Sequence, residues 1–462
     1  MNDQNIFEQL QTYTQQVMDE TGVPGVAVGV LHKGQMQSAG FGVTNVDHPL
    51  AVDAQTLFQI GSITKTFTAL LMLKLAELGK LDLSASVRTY LPNFRVADEA
   101  VSQRVTVRHL LTHNSGWAGD VFEDTGAGDD ALPRYLEILV DVAQLAPMET
   151  TFSYNNAAFY VAGALIEAVT GQSYQDVLRE LVLAPMGLEH VYFDPADVMT
   201  HRFAVGHSIK EKDGERTAEV ARPWPLPRAA YAVGGIACSI PTLLQYAAFQ
   251  MGDGKTESGE QLISPASLEQ LHAPQFEIGG TFDAVAHSWF IGHVDGVKYI
   301  THSGGTKGQI SLLLIVPARQ FAVAIFTNAD RGSAVTRDVS RWALREYLGL
   351  NITDPEPLSL SEAELAPFAG LYSRPFADVE LKLVESGLTL QVTTKQGFPS
   401  RDTPPSPPSP VMHVAFYDMD RLIVLDGPMA KSRAEIVRDA NGEIGWLRVG
   451  SRIHIKTEHP NI

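Results

Sequence analysis

Ser62-Ile63-Thr64-Lys65-Thr66-Phe67-Thr68-Ala69-Leu70-Leu71-Met72-Leu73-Lys74-Leu75-Ala76-Glu77-Leu78-Gly79 opens with a serine three residues ahead of a lysine and continues as an apolar run. Leu70, Leu71, Leu73, Leu75 and Leu78 recur at helical spacing and Gly79 is placed to end the element, so the spacing predicts a helix with Ser62 at its N-terminus. Residues three apart on a first turn share a face, which brings the Ser62 hydroxyl within reach of the Lys65 ammonium. A serine hydroxyl is a poor nucleophile at neutral pH, whereas a lysine desolvated by apolar neighbours can lose its proton and serve as the base. The helix N-terminus adds free backbone N–H groups, that of Ser62 among them, where an oxyanion would form. Taken alone, a serine-x-x-lysine pattern is expected about once by chance in so serine-rich a chain, and a capping serine followed by a solvated lysine is its plainer reading.

Two further patterns change the balance. Tyr154-Asn155-Asn156 follows the turn-like Thr150-Thr151-Phe152-Ser153 and precedes NAAFYVAGALIEAVTG, which predicts a loop entering a helix. A phenol beside ammonium groups ionises more readily, so Tyr154 can take the Ser62 proton and pass it to a leaving group. Asn156 offers a carboxamide to orient Lys65 or to bond a substrate amide. By itself Tyr-x-Asn is more often a helix cap. His302-Ser303-Gly304-Gly305 ends an expected strand, and ISLLLIVPARQFAVAIFTNAD reads as a hairpin around Pro317-Ala318-Arg319. The glycines let a substrate backbone lie along the strand edge, and an N–H near Gly305 can be the second oxyanion donor. His302 can donate a hydrogen bond to Tyr154 or to a substrate carboxyl group.

In this order and at these separations, the three motifs make the chain resemble the serine β-lactamase and penicillin-recognising family. The resemblance is to the branch holding class C β-lactamases, D,D-peptidases, D-aminopeptidases and β-lactamase-like esterases. Pro24-Gly25-Val26-Ala27-Val28, Gly79-Lys80-Leu81-Asp82-Leu83, Leu110-Leu111-Thr112-His113-Asn114-Ser115-Gly116 and Pro185-Met186-Gly187-Leu188 are similar to family text as well, over roughly the first three quarters of the chain. The resemblance implies Ser62 as the acylated nucleophile, Lys65 and Tyr154 as the proton-transfer pair, and Asn156 as a substrate-amide contact. It also implies His302 as the third-motif basic residue, Ser303 and Gly304 beside it as substrate or oxyanion contacts, and the backbone of Ser62 and Gly305 as the oxyanion hole. Class C β-lactamases usually carry lysine at the position of His302, and a histidine is largely neutral at pH 7, so weak or absent β-lactamase activity is expected. The arginine that some related peptidases place just before the third motif has no counterpart between Phe276 and Ile300.

Composition is consistent with an enzyme of this kind. The 462 residues exceed one typical domain, and the 45% hydrophobic content supports large cores. A net charge of −18 argues against nucleic acid and anionic membranes as partners. Cys238 is the single cysteine, so no intramolecular disulfide is possible. The first twenty residues read as an amphipathic helix with Ile6, Leu10, Tyr13 and Val17 on one face, and neither a signal-peptide pattern nor a bilayer-spanning stretch is found. The expectation is cytoplasmic residence, unless a secretion signal has been removed.

The expected architecture is α+β. Residues 1–350 would form an antiparallel sheet covered by helices plus an all-helical lobe. Residues 351–360, with Pro355 and Pro357, would be a linker, and 361–462 a small antiparallel β domain similar to the lipocalin-like domains of some D-peptidases. Strands are expected there at 370–372, 379–384, 388–392, 413–417, 421–424, 434–437 and 444–449, as a barrel or a sandwich. The proline-rich 403–410 reads as an extended, mobile loop. The loop 120–130, with Asp120, Glu123, Asp124, Asp129 and Asp130, lacks the register of a calcium site and reads as solvated, or as a lip attracting cations. There is no G-x-S-x-G elbow, H-E-x-x-H or phosphate loop, and neither a metal nor a cofactor is expected.

The readings that remain are a peptidase or amidase acting on D-residue-containing or small peptides, a carboxylesterase on short acyl esters, and a penicillin-binding sensor or assembly protein without turnover. The partner is a small molecule or short peptide, and the C-terminal domain is a candidate surface for a homo-oligomer.

Overall fold

The computed structural model describes residues 3–212 and 214–457. Its centre is an eight-stranded antiparallel sheet with spatial order Gln35–Gly42, Gly25–His32, Phe321–Thr327, Gln309–Val316, Val297–Thr306, Phe290–Val294, Ala284–Val285, Phe276–Glu277. The strand Gly25–His32 is buried along its whole length because it is covered on both faces, which explains its nearly unbroken apolar text. Alternation sorts its side chains. Val26, Val28 and Val30 join a core with the helices Asp3–Thr21 and Gly332–Leu348, while Ala27 and Leu31 face the larger core that holds helix Thr64–Glu77. Tyr13 of the first helix stacks on Trp342 of the second, with centroids 5.8 Å apart.

The larger core continues into a helical lobe that includes Val107–Thr112, Ala131–Ile138 and Ala157–Thr170. The C-terminal part is a closed eight-stranded barrel: Gly370–Ser373, Ala377–Val384, Gly387–Thr394, Met412–Asp418, Arg421–Val424, Arg433–Arg438, Ile444–Val449 and Arg452–Lys456. The last of these was not among the expected strands. It pairs with the first through Tyr372↔Lys456 and Ser373↔Ile455, which closes the barrel and rules out the sandwich. The expected mobile loop is tied down, since Ser409 exchanges bonds with Val392 and Gln391 and the Ser406 carbonyl accepts from Thr394 Oγ1 at 2.8 Å.

The barrel packs against the helical lobe. Trp446 Nε1 donates to the Leu145 carbonyl at 2.9 Å, and Ile453 packs with Ala118, Leu145 and Ala146. Arg448 is 9% exposed and donates to the carbonyls of Phe152 and Ile278 and to Thr151 Oγ1, so its guanidinium fills a polar gap between the two parts. No helix among the described residues is long and apolar enough to cross a membrane.

Candidate active site

Ser62 occupies a single turn, Gly61–Ile63, that runs directly into helix Thr64–Glu77. This turn lies against the strand Val297–Thr306. A Cβ at Gly304 would stand 1.8 Å from the Ile60 carbonyl oxygen, and one at Gly61, where φ is +51°, would stand 2.7 Å from the Gly305 nitrogen. Only glycines allow this approach. Ser311 Oγ fastens it by donating to the Ile60 carbonyl at 2.8 Å. The approach sets the Ser62 turn beside Gly305, as two backbone oxyanion donors require.

Lys65 is fully buried. Its Nζ stands 3.0 Å from Ser62 Oγ and donates to the Val233 carbonyl at 2.8 Å. Burial, and after it the positive charge of Arg452, hold Lys65 well below the ordinary lysine value, with Asp120 working against both. A lysine that gives up its proton has two N–H groups and a lone pair, so it can donate to Val233 and accept from Ser62.

Tyr154 enters from the loop before helix Ala157–Thr170, as its motif implied. Its ring centroid is 5.1 Å from Lys65 Nζ, and its hydroxyl is buried without a hydrogen bond of normal geometry. Burial raises the Tyr154 pKa; the nearby Ser62 hydroxyl and Arg452 oppose the rise without overcoming it. The phenol is therefore protonated at rest, and the expectation of ready ionisation is corrected: desolvation outweighs the Ser62 hydroxyl and the Arg452 cation.

His302 differs from expectation in a second way. Its Nδ1 is 2.6 Å from the Ser303 carbonyl oxygen, so Nδ1 carries the proton and donates. Burial, followed by the charge on Lys65, pushes its pKa down to about 3. Nε2, buried and unpartnered, is then a lone-pair acceptor and not the donor anticipated for Tyr154 or a substrate carboxyl group.

Ser62, Tyr154, Asn156, His302, Ser303 and Gly305 line one cavity of about 670 Å³, whereas Gly304 faces away, against Ile60. The barrel contributes the far wall, including Arg374 and Arg452. Both arginines bond the buried Asp120, Arg374 Nη1 at 2.7 Å and Arg452 Nε at 3.2 Å, and Asn156 Nδ2 donates to the same carboxylate at 2.7 Å. Burial resists ionisation of Asp120, but Arg452, Arg374 and Asn156 outweigh it and hold the carboxyl below its ordinary range. Asp120 is thus an internal hub and not part of a solvated lip. Among the described residues no group of three or more His, Cys, Asp or Glu side chains is placed to hold a metal ion.

The beta-lactamase family model matches residues 10–397. This chain belongs to that family. Over 365 residues it is 32% identical to penicillin-binding protein 4 of Amycolatopsis lactamdurans, covering 77% of this chain and 94% of that one. The structure of SurE superposes with a TM-score of 0.76 at 22% identity, covering 99% of this chain and all of the other, and SurE has also been seen with D-Leu. An octameric penicillin-binding protein homologue from Pyrococcus abyssi gives 0.64 at 25% identity, covering 94% of this chain and 97% of the homologue. The beta-lactamase family consists of serine hydrolases, and its fold is the sheet and helical lobe described above.

Arg374, Arg452 and Asp120 were not picked out as functional residues from the sequence. The signal available for Arg452 was the alternation in Arg452-Ile453-His454-Ile455-Lys456, which reads as a strand with its polar residues on one side.

Proposed function

We propose that this protein acylates Ser62 with short peptides or amides that bear a carboxylate near the scissile bond, in the manner of a D,D-peptidase or D-aminopeptidase. The observation that carries the reading is the 3.0 Å approach of Lys65 Nζ to Ser62 Oγ, with the amine fully buried and its pKa held well below the ordinary lysine value. Lys65 takes the hydroxyl proton as Oγ attacks the carbonyl carbon, and the N–H groups of Ser62 and Gly305 hold the oxyanion. Tyr154, protonated at rest, donates to the departing amine nitrogen, and water later releases the acyl group through the same groups in reverse.

The carboxylate preference rests on charge. Two guanidinium groups share the single carboxylate of Asp120, which leaves one positive charge at the cavity wall where neutral His302 supplies none. A terminal carboxylate is the complement, and D-Leu in SurE is a ligand of that class.

A carboxylesterase is the second reading, favoured by the apolar wall formed by Phe122, Phe376, Phe398, Val379, Val392 and Met429. That wall leaves room for larger groups than the small side chains and short acyl chains expected from the sequence. Self-association through the barrel is retained as a proposal, and sedimentation of the purified chain reads it directly.

Incubation with a fluorophosphonate or a fluorescent penicillin, followed by peptide mapping, tests the nucleophile. Labelling that survives Ser62→Ala would sink the mechanism, and a stable adduct without turnover would favour a sensor. Turnover of D- and L-peptides, p-nitrophenyl esters and nitrocefin then separates peptidase, esterase and β-lactamase.

A further inference from the structure

Tyr154 is gripped by two parts of the chain that are far apart in sequence. From the helical lobe, the Ser153 N–H donates to the His113 carbonyl and the Asn155 N–H to His113 Nδ1, both at 3.0 Å. The His113 imidazole stacks on the Tyr154 ring with centroids 4.3 Å apart and an interplanar angle of 27°. From the barrel, the Ser451 carbonyl accepts the Tyr154 N–H at 2.8 Å, the Ile453 N–H donates to Ser153 Oγ at 3.3 Å, and the Arg452 guanidinium carbon lies 4.5 Å from the Tyr154 ring centroid.

The barrel's half of the grip is a built element. Val449 pairs with Arg452, and the two residues between them, Gly450 and Ser451, have φ of +56° and +68°. This is the tight hairpin turn whose twist suits antiparallel strands. It projects the Ser451 carbonyl and the Arg452 side chain toward the loop that carries Tyr154. Arg452 is held in turn by Asp120, which also holds Asn156. The backbone N–H groups of Ser153 and Asn155 are taken by His113, and that of Tyr154 is taken by the barrel. Without the turn, a buried N–H next to the reactive phenol has no partner.

We propose that the barrel turn 450–452 is a positioning element for Tyr154, and that Arg452 is the residue through which it sets the place of the phenol at Ser62. The barrel is then part of the proton-transfer machinery as well as a wall of the cavity. This rests on the reading of Ser62 as the acylated nucleophile. Misplacement of a catalytic group by a fraction of its van der Waals radius is enough to cost a large factor in rate. The charged and titratable groups around the phenol are Lys65, Arg452, Asp120, His113 and His302. Arg452 lowers the pKa of both Lys65 and Tyr154, so loss of its cation raises both and moves the acid limb of the reaction to higher pH.

The test uses the full chain and kcat/KM for a carboxylate-free p-nitroanilide, an amide whose departing nitrogen needs the proton that Tyr154 supplies, so that loss of a substrate carboxylate contact does not register. Arg452→Met is expected to slow anilide turnover about tenfold and to shift the acid limb upward, and Arg452→Lys to recover most of the loss. In a Tyr154→Phe background, with rates compared on the plateau above the acid limb where the effect of Arg452 on Lys65 does not register, the same Arg452→Met change is expected to cost less than about twofold, because Arg452 then acts through the residue already altered. Equal losses in both backgrounds overturn the proposal, as does an unchanged rate in Arg452→Met. Arg452→Gln, which keeps a hydrogen-bond donor toward Asp120, gives the same comparison where the methionine variant does not fold. A second readout needs no turnover: in Ser62→Ala protein with carbon-labelled tyrosine, the Tyr154 ring resonance, assigned by its loss in Tyr154→Phe, is expected to shift in Arg452→Met. An unmoved resonance also overturns the proposal. If the native protein is not labelled at Ser62, the functional reading fails while the resonance still decides what Arg452 does to Tyr154.

Discussion

Asp120 Oδ2 accepts from Arg374 Nη1 at 2.7 Å across the junction between the helical lobe and the barrel, with the two side chains only 3% and 11% exposed. The same carboxylate faces Arg452, so one buried anion joins two cations that reach it from 254 and 332 residues further along the chain. A carboxylate placed this way compensates charges that would otherwise be buried without a partner.

Asp120→Ala strands Arg374, Arg452 and the Asn156 amide, and a loss of about 3–5 kcal/mol is expected, read as a lower urea midpoint. The folded pKa of Asp120 is depressed, so its stabilisation is fully present above the unfolded value of about 3.9 and is lost as pH falls through the lower folded value. Acid unfolding of the native protein is therefore expected to be steeper below about pH 4 than that of Asp120→Asn. Parallel acid curves for the two proteins would contradict this assignment.

Tyr154→Phe removes the proposed proton donor to the leaving group. Amide turnover is expected to fall by about 10²–10⁴, and turnover of p-nitrophenyl esters, whose leaving group needs little protonation, by less than about tenfold. Kinetics on a matched amide and ester pair read the difference, and equal losses count against proton donation.

His302 is expected to stay neutral with its proton on Nδ1 down to about pH 4, because burial and the nearby Lys65 oppose its charging. The signs follow: a histidine with a depressed folded pKa costs stability once the pH falls below its unfolded value, near 6.5, where the unfolded chain takes up the proton first. Long-range nitrogen–proton NMR distinguishes the tautomers, and a proton on Nε2 at neutral pH would remove the acceptor assigned here.

Val392→Trp fills the barrel side of the cavity. The ratio of kcat/KM for p-nitrophenyl octanoate over acetate is expected to drop about tenfold, since the methylenes of the longer chain lose apolar surface to bury. A ratio equal to that of the native protein would mean that the acyl group does not enter the chamber.

Much of the site was legible because its first pair is local. Ser62 and Lys65 are one helical turn apart, and the helix that aligns them is written in the leucines that follow. The loop position of Tyr154 and the strand position of His302 followed from helix and strand patterns on either side of them. Misreadings occurred where burial by distant segments decides the chemistry. In Asp120 the acidic neighbourhood suggested solvent, yet the residue is covered by a barrel that begins some 250 positions later. Tyr154 was assigned ready ionisation and enclosure reversed it, whereas His302 is neutral as expected but spends its proton on the Ser303 carbonyl and not on Tyr154 or a substrate. The eighth barrel strand was missed because it is short and half polar, and it carries Arg452.

By itself the sequence determined the candidate nucleophile and its candidate base, the order of helices and strands, and the presence of a β-rich C-terminal part, because each depends on contacts within a few residues or on periodicity along one element. The charge of the cavity, the tautomer of His302, the resting protonation of Tyr154 and the grip of the barrel on that tyrosine were decided only by the tertiary structure. Desolvation and long-range Coulomb interactions depend on what surrounds a group in space, and the segments surrounding these groups lie hundreds of residues away along the chain.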